Sequence, residues 1–370
     1  MGQRKGSLEG LAMNPSFWHK RRVFLTGHTG FKGSWMSLWL QSLGAEVTGF
    51  ALAPSTQPNL FEEANIGEGM KSIIGDVRDL VELQKAMQHA RPEIVIHMAA
   101  QPLVRYSYLN PVETYATNVM GTVHLLESLR QIPEAKAAVV VTTDKCYENK
   151  EWDWGYRENE PMGGHDPYSS SKGCAELICS AYRSSYFSVN TSSSNQCAIG
   201  TARAGNVIGG GDWSQDRLIP DILRSFEQKQ SVEIRNPVAI RPWQHVMEPL
   251  RGYLTLAERL YQDGQLFAEG WNFGPINEDS KPVGWIVEQM VDMWGTGAGW
   301  TVSDVNHPHE AHSLMLDISK ARKRLNWRPV LHLQEALKLT VDWVRQRQCG
   351  ADIRKLTLGQ LNTYQTLIYG

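Results

Sequence analysis

A strand, a glycine-punctuated loop and a helix in direct succession restrict the folds open to this chain more than any other feature. Arg22–Thr26 is a short apolar strand, and Gly27-His28-Thr29-Gly30-Phe31-Lys32-Gly33 follows it. Trp35, Leu38, Trp39, Leu40 and Leu43 then trace an apolar helix that stops at Gly44. Glycines three apart let the backbone close on a pyrophosphate, and the helix N-terminus favours its charge. The spacing is Gly-x-x-Gly-x-x-Gly and not the usual G-x-G-x-x-G, so the strand and helix around the loop carry the reading. Gly27, Gly30 and Gly33 are therefore expected at a dinucleotide, with Lys32 either a phosphate contact or a solvated side chain.

The alternation continues downstream. Glu46–Leu52, Ser72–Gly75, Glu93–Met98 and Ala137–Thr142 read as further strands. Helices fall between them, one through about Ala90 that Asp79 is placed to cap, another across 118–130. Strand and helix in turn predict an α/β fold, a Rossmann-type doubly wound parallel sheet. From about Thr201 the texture loosens, with Gly209-Gly210-Gly211, scattered prolines and helical patterns over 218–229, 246–262 and 281–294. That predicts a smaller, discontinuous C-terminal lobe over the ends of the strands. The expected division is a disordered leader over 1–16 and a dinucleotide domain mainly over 17–200. A substrate lobe mainly over 201–350 follows, some of its segments returning to the first domain, and then a tail over 351–370. The polar tract 184–195 reads as a surface excursion.

Two acid/base sets stand out. Thr142-Thr143-Asp144-Lys145 ends the fifth strand, where open α/β sheets bind ligands. Tyr168-Ser169-Ser170-Ser171-Lys172 follows, an i,i+4 pair that shares one helix face. A lysine ammonium beside a phenol favours phenolate, so Tyr168 can serve as a base below its free pKa. A chain with both sets is equipped for more than hydride transfer. Thr142 precedes the set and reads as structural. Asp76, after the third strand, is a candidate acceptor for an adenine amine. The second strand ends in Phe50-Ala51-Leu52-Ala53-Pro54, with no acid for a ribose and no arginine for a 2′-phosphate, and the missing arginine favours NAD.

Arg203, Arg235 and Arg241 are the cations that could hold a diphosphate, with Asn206 and His245 as polar neighbours. His307, His309, Glu310 and His312 lack the spacing of a metal site and read as a polar lining; no metal is expected. Net charge −2 offers no basic field for nucleic acid, and the apolar runs are too short to span a membrane. The five cysteines form no C-x-x-C, which suits free thiols in a reducing cytoplasm. Cys146 reads as a small packed side chain and Trp243 as a border of the pocket.

These motifs resemble the extended short-chain dehydrogenase/reductase family and, within it, the sugar-nucleotide 4,6-dehydratases of the CDP-glucose type. The resemblance runs from about Phe17 to about Pro329. It is carried by the glycine loop, Tyr168-x-x-x-Lys172, His97-Met98-Ala99-Ala100-Gln101-Pro102, Arg203-Ala204-Gly205-Asn206 and His307-Pro308-His309-Glu310-Ala311-His312. Dehydratases of this family generally carry Asp-Glu where this chain has Asp144-Lys145; the CDP-glucose type shares the lysine. The resemblance implies NAD as cofactor, with Thr29, Phe31, Lys32, Asp76, Val77, Ala99, Ala100, Gln101, Tyr168 and Lys172 beside it. It implies CDP-glucose as substrate, met by Asn206, Leu218, Ile219, Pro220, Arg235, Arg241, Glu310 and His312, and a role in deoxysugar biosynthesis such as that of O-antigen. Tyr168 and Thr143 would act at C4, Lys145 as the base at C5 and Asp144 as the acid at C6. It also implies a homodimer through helices near 118–130 and 168–183, with pairing into tetramers left open. A sugar-nucleotide 4-epimerase or reductase would leave Asp144-Lys145 idle, and an NAD-sensing scaffold would leave Thr143, Tyr168 and Lys172 idle too.

Overall fold

The computed structural model describes residues 13–188, 196–303 and 313–369. The first half runs β1 (Arg22–Thr26), α1 (Phe31–Ser42), β2 (Glu46–Ala51), α2 (Leu60–Glu63), β3 (Lys71–Ile74), α3 (Leu80–Ala90), β4 (Ile94–His97), α4 (Val104–Leu109), α5 (Pro111–Tyr115), α6 (Gly121–Leu129), β5 (Ala137–Val141), α7 (Pro167–Tyr186) and β6 (Ala198–Ala204). The second half adds β7 (Asn206–Ile208), α8 (Leu218–Glu227), β8 (Val232–Ile234), β9 (Ile240–Arg241), β10 (Trp243–His245), α9 (Met247–Asp263) and β11 (Gly270–Phe273). β12 (Lys281–Pro282), α10 (Val283–Trp294), β13 (Trp300–Val302), α11 (Leu333–Gln348) and α12 (Ile353–Tyr369) complete it.

Seven strands form one parallel sheet in the order β11-β6-β5-β4-β1-β2-β3. The middle strands are covered on both faces, and so β4, β5 and β6 are buried at every position, as continuous apolar runs require. The chain leaves β1 towards β2 and β3, then returns to lay β4 on the other side of β1. That reversal opens a crevice at the C-terminal end of β1, where the glycine loop lies. β7–β10, β9–β12 and β8–β13 are short two-stranded pieces that build the lobe.

Asp79 caps α3, accepting from the Glu82 amide as its position predicted. The helix expected over 118–130 is present, running on from α5 through a π turn over 116–120 into α6, which ends at Leu129. Two expectations need correction. The leader ends earlier than residue 16: Met13 is buried, the Asn14 amide donates to Glu258 at 2.9 Å, and Asn14 caps the turn Pro15–Trp18. Residues 1–12 lie outside the described residues. The tail is the helix α12, whose Tyr364 packs edge-on against Trp39 of α1 and donates to Glu248 Oε2 at 2.7 Å.

Glu248 is fully buried and also accepts from the Val330 and Leu331 amides, each at 2.8 Å. Hydrogen bonds to a buried charge contribute about 1.5–3 kcal/mol. Tyr364→Phe should therefore lower the unfolding free energy by about 2 kcal/mol in urea titrations while leaving the far-ultraviolet spectrum unchanged.

Candidate active site

The glycine loop is built to bring backbone, and not side chains, to the crevice. Gly27 has φ +76° and a Cβ there would lie 2.7 Å from the Ala99 amide nitrogen. A Cβ on Gly33 would lie 1.9 Å from the Gly27 carbonyl oxygen. Gly30, the N-cap of α1, is different: a Cβ on it would make one ordinary contact, 3.5 Å from the Gly27 oxygen. The protein itself does not need glycine there, so Gly30 keeps open the surface before the helix N-terminus. That cradle, with the dipole behind it, fits the pyrophosphate of a dinucleotide.

The flanks are equally fixed. Thr26 Oγ1 accepts from the Met98 and Ala99 amides, both at 3.1 Å, and shares a 2.7 Å hydrogen bond with His97. Asn118, in the π turn, accepts from the Gln101 amide at 2.8 Å and donates to the Gln101 carbonyl and to Ser171 Oγ. Asn118 thus ties the Ala99-Ala100-Gln101 turn to the helix carrying Tyr168; its signal was a lone amide in an apolar helical stretch. Thr29 donates to the Leu52 carbonyl at the end of β2. Val77 is buried, and Asp76 receives three hydrogen bonds from Arg78, one from its amide and two from its guanidinium.

The two acid/base sets converge. β5 delivers Thr143, Asp144 and Lys145, and α7, capped by Asp166 and opened by Pro167, delivers Tyr168 and Lys172. Thr143, Lys145 and Tyr168 line one cleft of about 510 Å³. Asp144 is fully buried; its Oδ1 accepts from Thr143 Oγ1 at 2.9 Å and lies 3.9 Å from Lys145 Nζ. Its Oδ2 has no partner among the described residues, and a Cβ on Gly205 would lie 3.0 Å from it. Burial pushes the Tyr168 phenol up to about 12, with Asp144 and Asp166 adding to the rise. A hydrogen bond with Thr143 and the charge of Arg217 pull the other way.

Lys172 has a backbone partner as well. Lys172 Nζ donates to the Val141 carbonyl at 3.2 Å, and burial lowers its ammonium to about 8 against the pull of Glu176. Lys32 is half-buried and not out in the loop. It sits in the first turn of α1 on the cleft wall, where burial, then Arg217 and Lys172, lower it to about 7.

Arg203 is also corrected: it holds the scaffold together and does not face the cleft. It is 4% exposed and forks onto Glu176, Nε to Oε1 at 2.9 Å and Nη2 to Oε2 at 2.7 Å. Thr142 and Thr201 donate to the same carboxylate at 2.5 and 2.6 Å, and Arg203 Nη1 donates to Tyr147 Oη at 2.7 Å. Thr142 is structural, as expected. An arginine buried on a strand with its acid on a neighbouring helix leaves no trace in local sequence. Cys146 is a buried packing residue.

The lobe faces the catalytic set across the cleft. Asn206, Leu218, Ile219, Pro220, Arg235, Arg241 and Trp243 all line it; Glu310 and His312 lie outside the described residues. His245 is fully buried against Trp35 instead. Arg217 lines the cleft too, held by Asp212 at 2.9 Å, and was not singled out from sequence although it directly precedes Leu218-Ile219-Pro220. Asp216 accepts from Arg105 at 3.1 Å and Arg235 at 3.3 Å, joining α4 to the lobe over the cleft.

Residues 24–340 match the model of the GDP-mannose 4,6 dehydratase family. The chain is 56% identical to the CDP-glucose 4,6-dehydratase of Salmonella typhimurium, over 96% of this chain and 99% of that one. Among solved structures, it superposes on the UDP-glucose 4-epimerase of Thermotoga maritima in complex with UDP-glucose. There the TM-score is 0.75 at 20% identity, covering 88% of this chain and 99% of that one. The dTDP-glucose 4,6-dehydratase of Bacillus anthracis in complex with NAD gives 0.71 at 22% identity, covering 88% and 97%. At these identities the structural likenesses show the fold, which agrees with the expected Rossmann-type architecture.

Burial alone would raise Glu176, but Arg203 and its three hydrogen-bond donors outweigh it and hold the carboxyl below the ordinary value. Removing one member of such a pair costs about 3–5 kcal/mol. Glu176→Ala should lose that much in chemical denaturation near neutral pH. The wild-type advantage should be full above about pH 4.3, the unfolded value, and shrink as pH falls below it.

Proposed function

The chain belongs to the GDP-mannose 4,6 dehydratase family, and from that membership we propose that it converts CDP-glucose to CDP-4-keto-6-deoxyglucose by NAD-dependent 4,6-dehydration. The observation that carries the reading is the meeting of Lys145 with Tyr168 on one cleft, with Asp144 enclosed behind them, bonded to Thr143 and 3.9 Å from Lys145 Nζ. An oxidation at C4 alone needs only the tyrosine, whereas elimination across C5 and C6 needs a further base and acid. The CDP-glucose enzyme of Salmonella, more than half identical end to end, supports the choice of substrate.

Bound NAD supplies the hydride acceptor for C4 and the hydride donor for C6, and is regenerated at each turnover. Its contacts are Gly27, Thr29, Gly30, Phe31, Lys32, Gly33, Asp76, Val77, Ala99, Ala100 and Gln101. Tyr168 takes the C4 hydroxyl proton and Thr143 hydrogen-bonds the C4 oxygen. With the phenol pushed up to about 12, deprotonation calls for positive charge nearby, and Arg217 already acts in that direction. Once C4 is a ketone, C5–H is acidic; Lys145, in its neutral form, takes that proton. Asp144, protonated, gives its proton to the departing C6 hydroxyl. Arg235 and Arg241 hold the diphosphate, with Asn206, Leu218, Ile219, Pro220, Glu310 and His312 completing the nucleotide end.

No helix among the described residues is long and apolar enough to cross a membrane. We place the enzyme in the cytoplasm as a homodimer. Leu109 and Val112, each 81% exposed, together with Met120 and Leu177, put apolar surface on α4, α5, the π turn and α7. The dinucleotide domain over 17–200 and the lobe over 201–350 share the work, with β11 returning to the sheet.

Incubation with CDP-glucose and NAD+, followed by mass and proton NMR, tests the reading: loss of water with a new C6 methyl signal is expected. Unchanged CDP-glucose with turnover of GDP-mannose or dTDP-glucose would overturn the substrate, and a C4 epimer would overturn the reaction. Tyr168→Phe should lower kcat by about 10²–10⁴-fold with CDP affinity nearly unchanged. Lys145→Met should still accumulate NADH from C4 oxidation yet retain deuterium placed at C5. Continued loss of that deuterium would take the base role from Lys145.

A further inference from the structure

A second cavity, of about 600 Å³, lies apart from the cleft, among α9, the segment 319–330 and the end of α12. None of its lining residues lines the cleft. Arg251, Arg322, Lys323 and Arg328 contribute four positive charges to the lining, and among the described residues no carboxylate lines it. Leu325, Val330, Leu367 and Ile368 supply an apolar wall. The volume is that of a small-molecule site.

Charge bookkeeping around the cavity favours an anion. The acids nearest on α9 are already engaged: Glu248 by Tyr364 and two backbone amides, Glu258 by the Asn14 amide. Glu248 approaches Arg251 at 3.6 Å and offsets one of the four cations. Arg251 is 7% exposed, is spread over the Trp327 and Tyr364 rings, and donates through Nη2 to the Arg328 carbonyl. Its Nε is buried with no partner among the described residues, a donor left unused at some cost. Arg322, Lys323 and Arg328 have no ion pair among the described residues. Three of the four cations are guanidinium groups, which fork onto phosphate oxygens.

We infer that this cavity is a second ligand site, one that takes a phosphorylated small molecule of nucleotide or sugar-phosphate size. Its phosphates lie among Arg251, Arg322, Lys323 and Arg328, and its organic body lies against Leu325, Val330, Leu367 and Ile368. Because α12 contributes one wall and α9 another, ligand bound here ties the C-terminal helix to the body of the protein and raises thermal stability by mass action.

Inorganic pyrophosphate is the probe, titrated calorimetrically into the full chain with no nucleotide added, so that nothing of the proposed ligand class competes for the cavity and binding there is counted beyond any in the cleft. One further saturable site is expected, with a matching rise in Tm. In the Arg322→Glu/Arg328→Glu variant that binding should weaken at least tenfold, while CDP-glucose turnover and unliganded Tm stay at wild-type values. Two results would overturn the site: no saturable pyrophosphate binding to wild type under these conditions, or equal binding by the variant. A chain lacking residues 1–12 that binds pyrophosphate where the full chain does not would also overturn it, because the cavity would then be covered by its own N-terminal segment.

Discussion

The buried pair of Glu176 and Arg203 is the interaction on which the rest of the site depends. It joins four elements that arrive from distant parts of the chain: the end of β5 through Thr142, α7 through Glu176, β6 through Arg203 and Thr201, and the loop after β5 through Tyr147. β5 and α7 carry the two acid/base sets, so their separation is set by a carboxylate with all its strong acceptor positions filled. Such a pair is costly to desolvate, and its return is geometric definition more than net stability. Gly270 shows how tightly the guanidinium is housed, because a Cβ there would lie 2.5 Å from Arg203 Nη2.

A division of labour follows from where each charge is kept. Charges that shape the scaffold are enclosed and fully paired, as with Glu176, Arg203 and Glu248. The groups offered to ligands are less fully bonded: Lys145 lines the cleft and is 31% exposed, and Asp144, enclosed behind it, keeps one oxygen without a partner among the described residues. Lys32 and Arg217 line the same cleft, and repulsion from Arg217 and from the buried Lys172 adds to burial in bringing Lys32 down to about 7. A wall so prepared favours incoming negative charge before any specific contact is made.

Much of this was legible in the sequence because it is written locally. β1 and the glycine loop announce themselves through periodicity and glycine spacing; Asp79 is a helix-start signal; Thr143-Asp144-Lys145 and Tyr168-x-x-x-Lys172 are short motifs at strand and helix ends. What escaped was decided by contacts distant in sequence. Arg203 looked like a diphosphate ligand because its partner, Glu176, comes from another element. Lys172 also donates to the Val141 carbonyl, a bond its spacing from Tyr168 does not announce. Residues 353–369 carry no motif, and only the buried Tyr364 and Glu248 show why they are a docked helix.

The edge strand β11 carries a consequence for biosynthesis of the polypeptide. Gly270–Phe273 pairs with β6, and Asn272 accepts from Tyr147 and donates to the Tyr156 and Asp317 carbonyls. While a ribosome is still translating the lobe, β6 therefore has one side bare, and Tyr147, the partner of Arg203, lacks its own acceptor. The nucleotide-binding half is thus not a self-sufficient unit on the nascent chain. Its last strand follows α8 and α9 in the chain, so the sheet is closed at that edge only once nearly all of the sequence through residue 273 is in place.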